Sequence, residues 1–189
     1  MREQEQGVFE SAKNGVIKTV KGTGDVAKAV IDTVTSTLST AIKDTGQVGM
    51  AGTQTISRLA SGVVHGVVEV GSDLGAASKG IIIGTLRGTR QTGTQLIDTI
   101  GQTSSSVIET TAEVGGDLGK AAKGLVEGAI QSARELGASA EQAASAAANG
   151  ALSAAVEIGD AAAKTVRNAV TGTISGVKVV LNEPFRSQA

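Results

Sequence analysis

The chain has 189 residues, with 17 Lys and Arg against 18 Asp and Glu, for a formal charge of −1. This balance gives no basic field for nucleic acid, and the lack of Cys excludes disulfides, thiol catalysis and thiolate metal sites. Hydrophobic residues make up 40% of the chain but include only two aromatics, Phe9 and Phe185, and 26 Gly dilute the rest. The large rings that usually dominate a globular core are therefore missing.

Residues 1–7 form a polar lead-in without the apolar stretch of a signal peptide. From residue 8 to residue 181 one pattern holds. The phrase "EVGSDLGAASKG" at 69–80 returns as "EVGGDLGKAAKG" at 113–124 and, more loosely, as "EIGDAAAKTVRN" at 157–168, each copy starting 44 residues after the last. Forty-four is four elevens, and about 11 residues make three helical turns. Stepping by eleven from Val20 gives a largely apolar column whose large members are Val20, Ile31, Ile42, Val64, Leu86, Ile97, Ile108, Ile130, Leu152 and Ile174. Four companion columns lie beside it on a helical wheel, together forming an apolar arc of roughly 130–160°. One of them carries Gly49, Gly71, Gly93, Gly115, Gly137 and Gly159, at every second repeat.

Strict alternation, the signal of a strand, is absent over any useful length. The expected fold is all-α: one long amphipathic helix with an 11-residue repeat and a 44-residue super-repeat. At 1.5 Å per residue it would reach about 260 Å. It either runs continuously or folds back near "DTGQVGMAGTQ" (44–54) or "ASAEQAASAAANG" (138–150), with continuity as the default. Pro184 ends the pattern, leaving 182–189 as a tail. Interior Gly costs about 1 kcal/mol each relative to Ala, so a lone helix of this composition does not persist in water. The stripe needs cover, from side-by-side helix packing or from a lipid surface.

The stripe has two unlike edges. Along one lie Lys13, Lys79, Arg90, Lys123, Arg134, Arg167 and Lys178, with no acid in their column. Basic stems can lie along an apolar surface and lift their charges to its rim, as in a helix resting on a lipid interface. The other edge is small and includes Gly62, Gly66, Gly84, Gly88, Gly172 and Gly176, in the spacing that lets helix backbones approach closely.

No constellation for chemistry emerges. "GTGDVA" (Gly22, Gly24, Ala27) imitates a dinucleotide-binding turn, but no buried strand precedes it. His65 has no second His or Cys beside it, so no metal site is expected. Glu109 and Glu113 are neighbours on a solvated face, whereas catalytic carboxylates need a cleft to shift their pKa values. Neither catalytic residues nor cofactors are expected, and neither is a small-molecule substrate.

Phrases such as "GVIKTVKGTGDVAKAVIDTV" and "AEVGGDLGKAAKGLVEGAI" resemble the 11-mer repeats of perilipins and synucleins. The likeness is one of pattern over nearly the whole chain; the "KTKEGV" phrase typical of synucleins is absent. The resemblance implies a non-enzymatic structural protein. Its helices would associate side by side into a coat or scaffold on a lipid or hydrophobic-granule surface. The alternative is a lipid-free filament, tube, coiled coil or four-helix-bundle dimer. The expected partners are copies of the chain itself and a lipid surface. The expected location is cytoplasmic, either free or peripheral on a membrane, lipid droplet or granule. No 18-residue run is apolar enough to suggest a spanning helix.

Overall fold

The computed structural model describes the backbone of residues 2–23, 25–45, 50–89 and 94–182, and the side chains of 6–21, 25–42, 54–89 and 95–182. Helix dominates these residues, as the 11-residue period requires. The single long helix does not form. Among the described residues there are instead eight: α1 (Arg2–Thr23), α2 (Val26–Thr45), α3 (Met50–Glu69), α4 (Leu74–Thr89), α5 (Thr94–Glu113), α6 (Leu118–Leu136), α7 (Ala140–Ile158) and α8 (Asp160–Val170). A hairpin of β1 (Gly172–Ile174) and β2 (Val177–Val179) follows.

The recurring phrase is a turn. Gly71 adopts φ 65° after α3 and Gly115 adopts φ 68° after α5. This left-handed conformation costs an L-side chain roughly 1–2 kcal/mol and glycine almost nothing. Each glycine closes its helix with the paired bonds of a Schellman cap. Ser72 N donates to the Val67 carbonyl and Gly71 N to that of Val68, both at 3.0 Å; Gly116 N donates to Thr111 at 2.7 Å and Gly115 N to Ala112 at 3.0 Å. Two residues after each glycine an aspartate starts the next helix. Asp73 Oδ1 accepts the Ala76 N–H at 2.7 Å and Asp117 Oδ1 accepts that of Lys120 at 3.0 Å. Gly137 (φ 69°) and Ser139 make the equivalent turn between α6 and α7, so the chain does reverse at the start of 138–150. Gly49 and Gly93 lie outside the described residues. At 71, 115, 137 and 159 this glycine follows the end of a helix of about two 11-mers, and 44 residues make a helical hairpin.

The hairpins stack. α1, α3, α5 and α7 pack one on the next in one row, and α2, α4, α6 and α8 do so in a second. Short connections hold the rows together, since consecutive helices also touch. The result is a two-row array in the manner of an α-solenoid, in which each hairpin covers its neighbour's apolar face. Within the rows, backbones meet directly: a methyl placed on Gly124 of α6 would overlap the carbonyl oxygen of Gly75 in α4, and one on Gly150 of α7 would overlap that of Gly101 in α5.

The core is Val, Leu, Ile and Ala throughout, from Ala12 and Val16 in α1 to Val166 and Val170 in α8. Hydroxyls are buried as well. Ser78 and Thr85 of α4, Thr103, Ser104 and Thr111 of α5, and Ser132 of α6 bury side-chain oxygens that have no hydrogen-bond partner.

The helix expected to run to 181 ends at Val170. Ser175 (φ 48°) and Gly176 (φ 80°) form a two-residue turn that brings Ile174 opposite Val177 and Gly172 opposite Val179. Positive φ at both central residues suits a two-residue hairpin, whose twist then matches its strands. Ile174, Val177 and Val179 are buried, with β1 against α6 and β2 against α7. The hairpin therefore covers the end of the odd-numbered row.

Candidate interaction groove

Most of the apolar stripe is used up inside the chain. Val64, Leu86, Ile108, Ile130 and Leu152 are fully buried on five different helices, Val20 nearly so, while Ile31, Ile42 and Ile97 are half-buried. Ile174 is buried too, but from a strand.

The basic edge is not one line. Lys13 is half-buried on α1 and bridges to Glu69 of α3 at 2.8 Å. That contact raises the ammonium pKa and lowers that of the carboxyl, through the hydrogen bond first and charge second. Lys79 is half-buried on α4, Arg167 is half-buried on α8, and Lys123 is exposed on α6. Arg134 donates from Nη2 to the Ser175 carbonyl at 2.9 Å, pinning the hairpin turn to α6. Lys178 is exposed on β2, not on a helix, and Arg90 lies outside the described residues.

The small edge divides similarly. Added methyls at Gly62 and Gly66 of α3 would meet α1 backbone, 2.5 Å from the Phe9 oxygen and 2.9 Å from that of Lys13. At Gly84 and Gly88 of α4 they would meet Cβ of Val34 and Leu38 on α2, at 2.7 and 2.8 Å. Gly172 (φ 103°) and Gly176 belong to the β-hairpin and take no part in helix packing, a correction to their placement on the helical edge.

The other motifs resolve into structure. Asp25 in "GTGDVA" caps α2, its Oδ1 accepting the Lys28 N–H at 3.0 Å, while Gly24 lies outside the described residues. His65 is half-buried and stands edge-on to Phe9, with ring centroids 5.4 Å apart. Glu109 is exposed and accepts from Ser105 Oγ at 3.2 Å. Between α4 and α6, Arg87 bridges to Glu135 at 2.8 Å; hydrogen bonds from Arg87 and then Gln131 hold the Glu135 carboxyl below the usual range. Among the described residues no group of three or more His, Cys, Asp or Glu could hold a metal ion, and no helix is long and apolar enough to cross a membrane.

A concave feature that sequence reasoning missed lies between α5 and α7, beside the α6–α7 turn. This groove of about 1130 Å³ is lined by Leu96, Ile97, Asp98 and Gln102 on one side and by Gln142, Asn149 and Ser153 on the other, together with Leu136 and Asn182. On the α7 wall, polar side chains one turn apart hold extended main chain. Ser145 Oγ accepts the Val180 N–H at 3.2 Å, Asn149 Nδ2 donates to the Val180 carbonyl at 3.3 Å, and Asn149 Oδ1 accepts the Asn182 N–H at 2.8 Å. One amide thus satisfies a carbonyl and the N–H two residues on, as a neighbouring strand would. The spacing of Ser145 and Asn149 was visible in the sequence, but nothing there distinguished it from other small polar residues on a solvated face.

No protein-family model matches the chain, and no curated protein matches it either.

Proposed function

We propose that the protein is a non-enzymatic scaffold built from stacked helical hairpins, which meets its partners through its outer surface. The observation that carries this reading is the burial of the apolar stripe against the chain's own helices. Side-by-side helix packing, expected between copies, already operates within one chain. Its stacked hairpins need neither lipid nor a second copy to cover the stripe. Repeat arrays of this kind commonly work as extended binding surfaces.

A second reading, the lipid coat suggested by the perilipin and synuclein pattern, requires the hairpins to part and lay their stripes on a surface. The composition of the core favours it. The described core contains no buried aromatic, and it includes six buried hydroxyls without partners, each an unfavourable burial of about 1–3 kcal/mol. Flotation with anionic vesicles, followed by circular dichroism and protease protection, separates the two. The scaffold stays in the lipid-free fraction with its core protected. A coat protein floats, and its interhelical turns at 70–73 and 114–117 become rapidly cleavable.

A further inference from the structure

Lys13, Ser57, Gly101 and Ser145 follow one another at intervals of 44 residues and hold the same place on α1, α3, α5 and α7. Each of the first three touches the next helix of its row. The Lys13 carbonyl oxygen lies 2.9 Å from a methyl placed on Gly66 of α3, Ser57 Oγ is 2.8 Å from Ser106 Oγ of α5, and the Gly101 carbonyl meets Gly150 of α7. The fourth, Ser145, meets the end of a strand instead: its Oγ accepts the N–H of Val180, just past β2. The C-terminal hairpin thus stands where a fifth helix of the odd-numbered row would stand. We propose that this hairpin is the stopper of the row: it covers the flank of α7 through which two copies of the chain would otherwise pair, α7 against α7.

The two ends of the row differ, and the difference selects the partner. Gly62 on α3, Ser106 on α5 and Gly150 on α7 occupy equivalent positions and receive the preceding helix. The equivalent residue of α1 is Lys18, which is exposed, as are Glu10 and Asn14 on the same flank. Packing another helix there would strip water from a lysine and a glutamate, so α1 is closed to a further copy. On α7, Ser145, Ala148, Asn149, Leu152 and Val156 share one flank by helical spacing, and none is charged. Ala148 and Leu152 are buried, while Val156, one turn past Leu152, is 44% exposed. The hairpin supplies buried Val177 and Val179, with the main chain of 180–182 held by Ser145 and Asn149. A two-stranded hairpin is marginal by itself, so this one stands by what it packs on. An uncharged flank whose counterpart at the other end of the row is closed is left to pair with itself about a two-fold axis.

The test releases the hairpin in the full chain by replacing its three buried side chains together, Ile174→Asp, Val177→Asp and Val179→Asp, since three carboxylates cannot take their buried places. Light scattering in line with size exclusion, over a range of concentrations, reads the mass, and circular dichroism reads the helices. The native chain should remain a monomer throughout. The triple variant should keep its helical signal and pass from the monomer mass to twice that mass as concentration rises. Adding Asn149→Lys, which places on α7 the kind of charge that closes α1, should return it to the monomer. A triple variant that stays monomeric at every concentration overturns the proposal, and so does association that ignores Asn149→Lys, which would run through another surface. Loss of the helical signal would make the hairpin part of the core and not a stopper, and a native chain that already dimerises would mean that it stops nothing; either result overturns the proposal as well.

Discussion

Replacing Gly124 by alanine tests the packing of the rows, because two architectures give it opposite signs. In an isolated helix, or one lying on lipid, glycine to alanine stabilises by about 1 kcal/mol. In the stacked hairpins a methyl at Gly124 overlaps the Gly75 carbonyl oxygen and lies 2.9 Å from its carbon and 3.0 Å from its Cα. Comfortable carbon contacts begin near 3.5 Å, so α4 and α6 must move apart by on the order of 1 Å. The obstacle is backbone, which has no rotamer to change. Overpacking of this kind costs typically 1–3 kcal/mol, and direct backbone overlap belongs at the top of that range. Subtracting the helix-propensity gain of about 1 kcal/mol leaves a net loss of about 2 kcal/mol. For a chain of this length 1 kcal/mol corresponds to about 2–4 °C, so Tm should fall by about 4–8 °C. Gly7→Ala in α1 is the control, since nothing lies within 4 Å of its added methyl, and its Tm should rise by about 2–4 °C. Thermal melts of the three proteins, followed by circular dichroism at 222 nm, give the comparison. A Gly124→Ala variant that gains as much as Gly7→Ala would refute the close crossing of α4 and α6.

Three further outcomes follow from the same geometry. Thr85→Val removes a buried hydroxyl without a partner while keeping the shape of the side chain, and should stabilise by about 1 kcal/mol in urea titrations. Gly71→Ala, at φ 65° in the α3–α4 turn, should cost about 1–2 kcal/mol, whereas in a continuous helix it would stabilise. The carboxyls of Glu69 and Glu135 have depressed pKa values in the folded chain, so their contribution is present above the unfolded glutamate value. It should fade only as pH falls below that value, and Arg87→Met should flatten the acid limb of a plot of Tm against pH.

The 11-residue stripe was legible because it is real: Val64, Leu86, Ile108, Ile130 and Leu152 are all core residues. What it could not convey was that the stripe folds onto itself. Two 11-mers make one helix with its turn, so a reversal at every second repeat leaves the columns in phase, and a hairpin array and a straight rod give the same register. The informative residues were the glycines at 71, 115 and 137, which carry positive φ where a continuous helix would merely tolerate them. The C-terminal hairpin had a signal as well. Ser175 and Gly176 sit between Ile174 and the alternation of Val177, Lys178 and Val179, but Ile174 also continued an 11-mer column, and the helical reading absorbed it. The main-chain contacts of Ser145 and Asn149 depend on where residues 180–182 travel, which no local pattern records.

The most direct test is the radius of gyration of the lipid-free protein by small-angle X-ray scattering in line with size exclusion. A compact chain of this length has a value of about 16 Å, and a two-row array slightly more. A continuous helix of about 260 Å would give about 75 Å. Stacked hairpins require a monomer near 16–20 Å with a folded, bell-shaped Kratky profile. A rod-like profile, or an expanded chain that becomes helical only when vesicles are added, would contradict burial of the stripe within the chain.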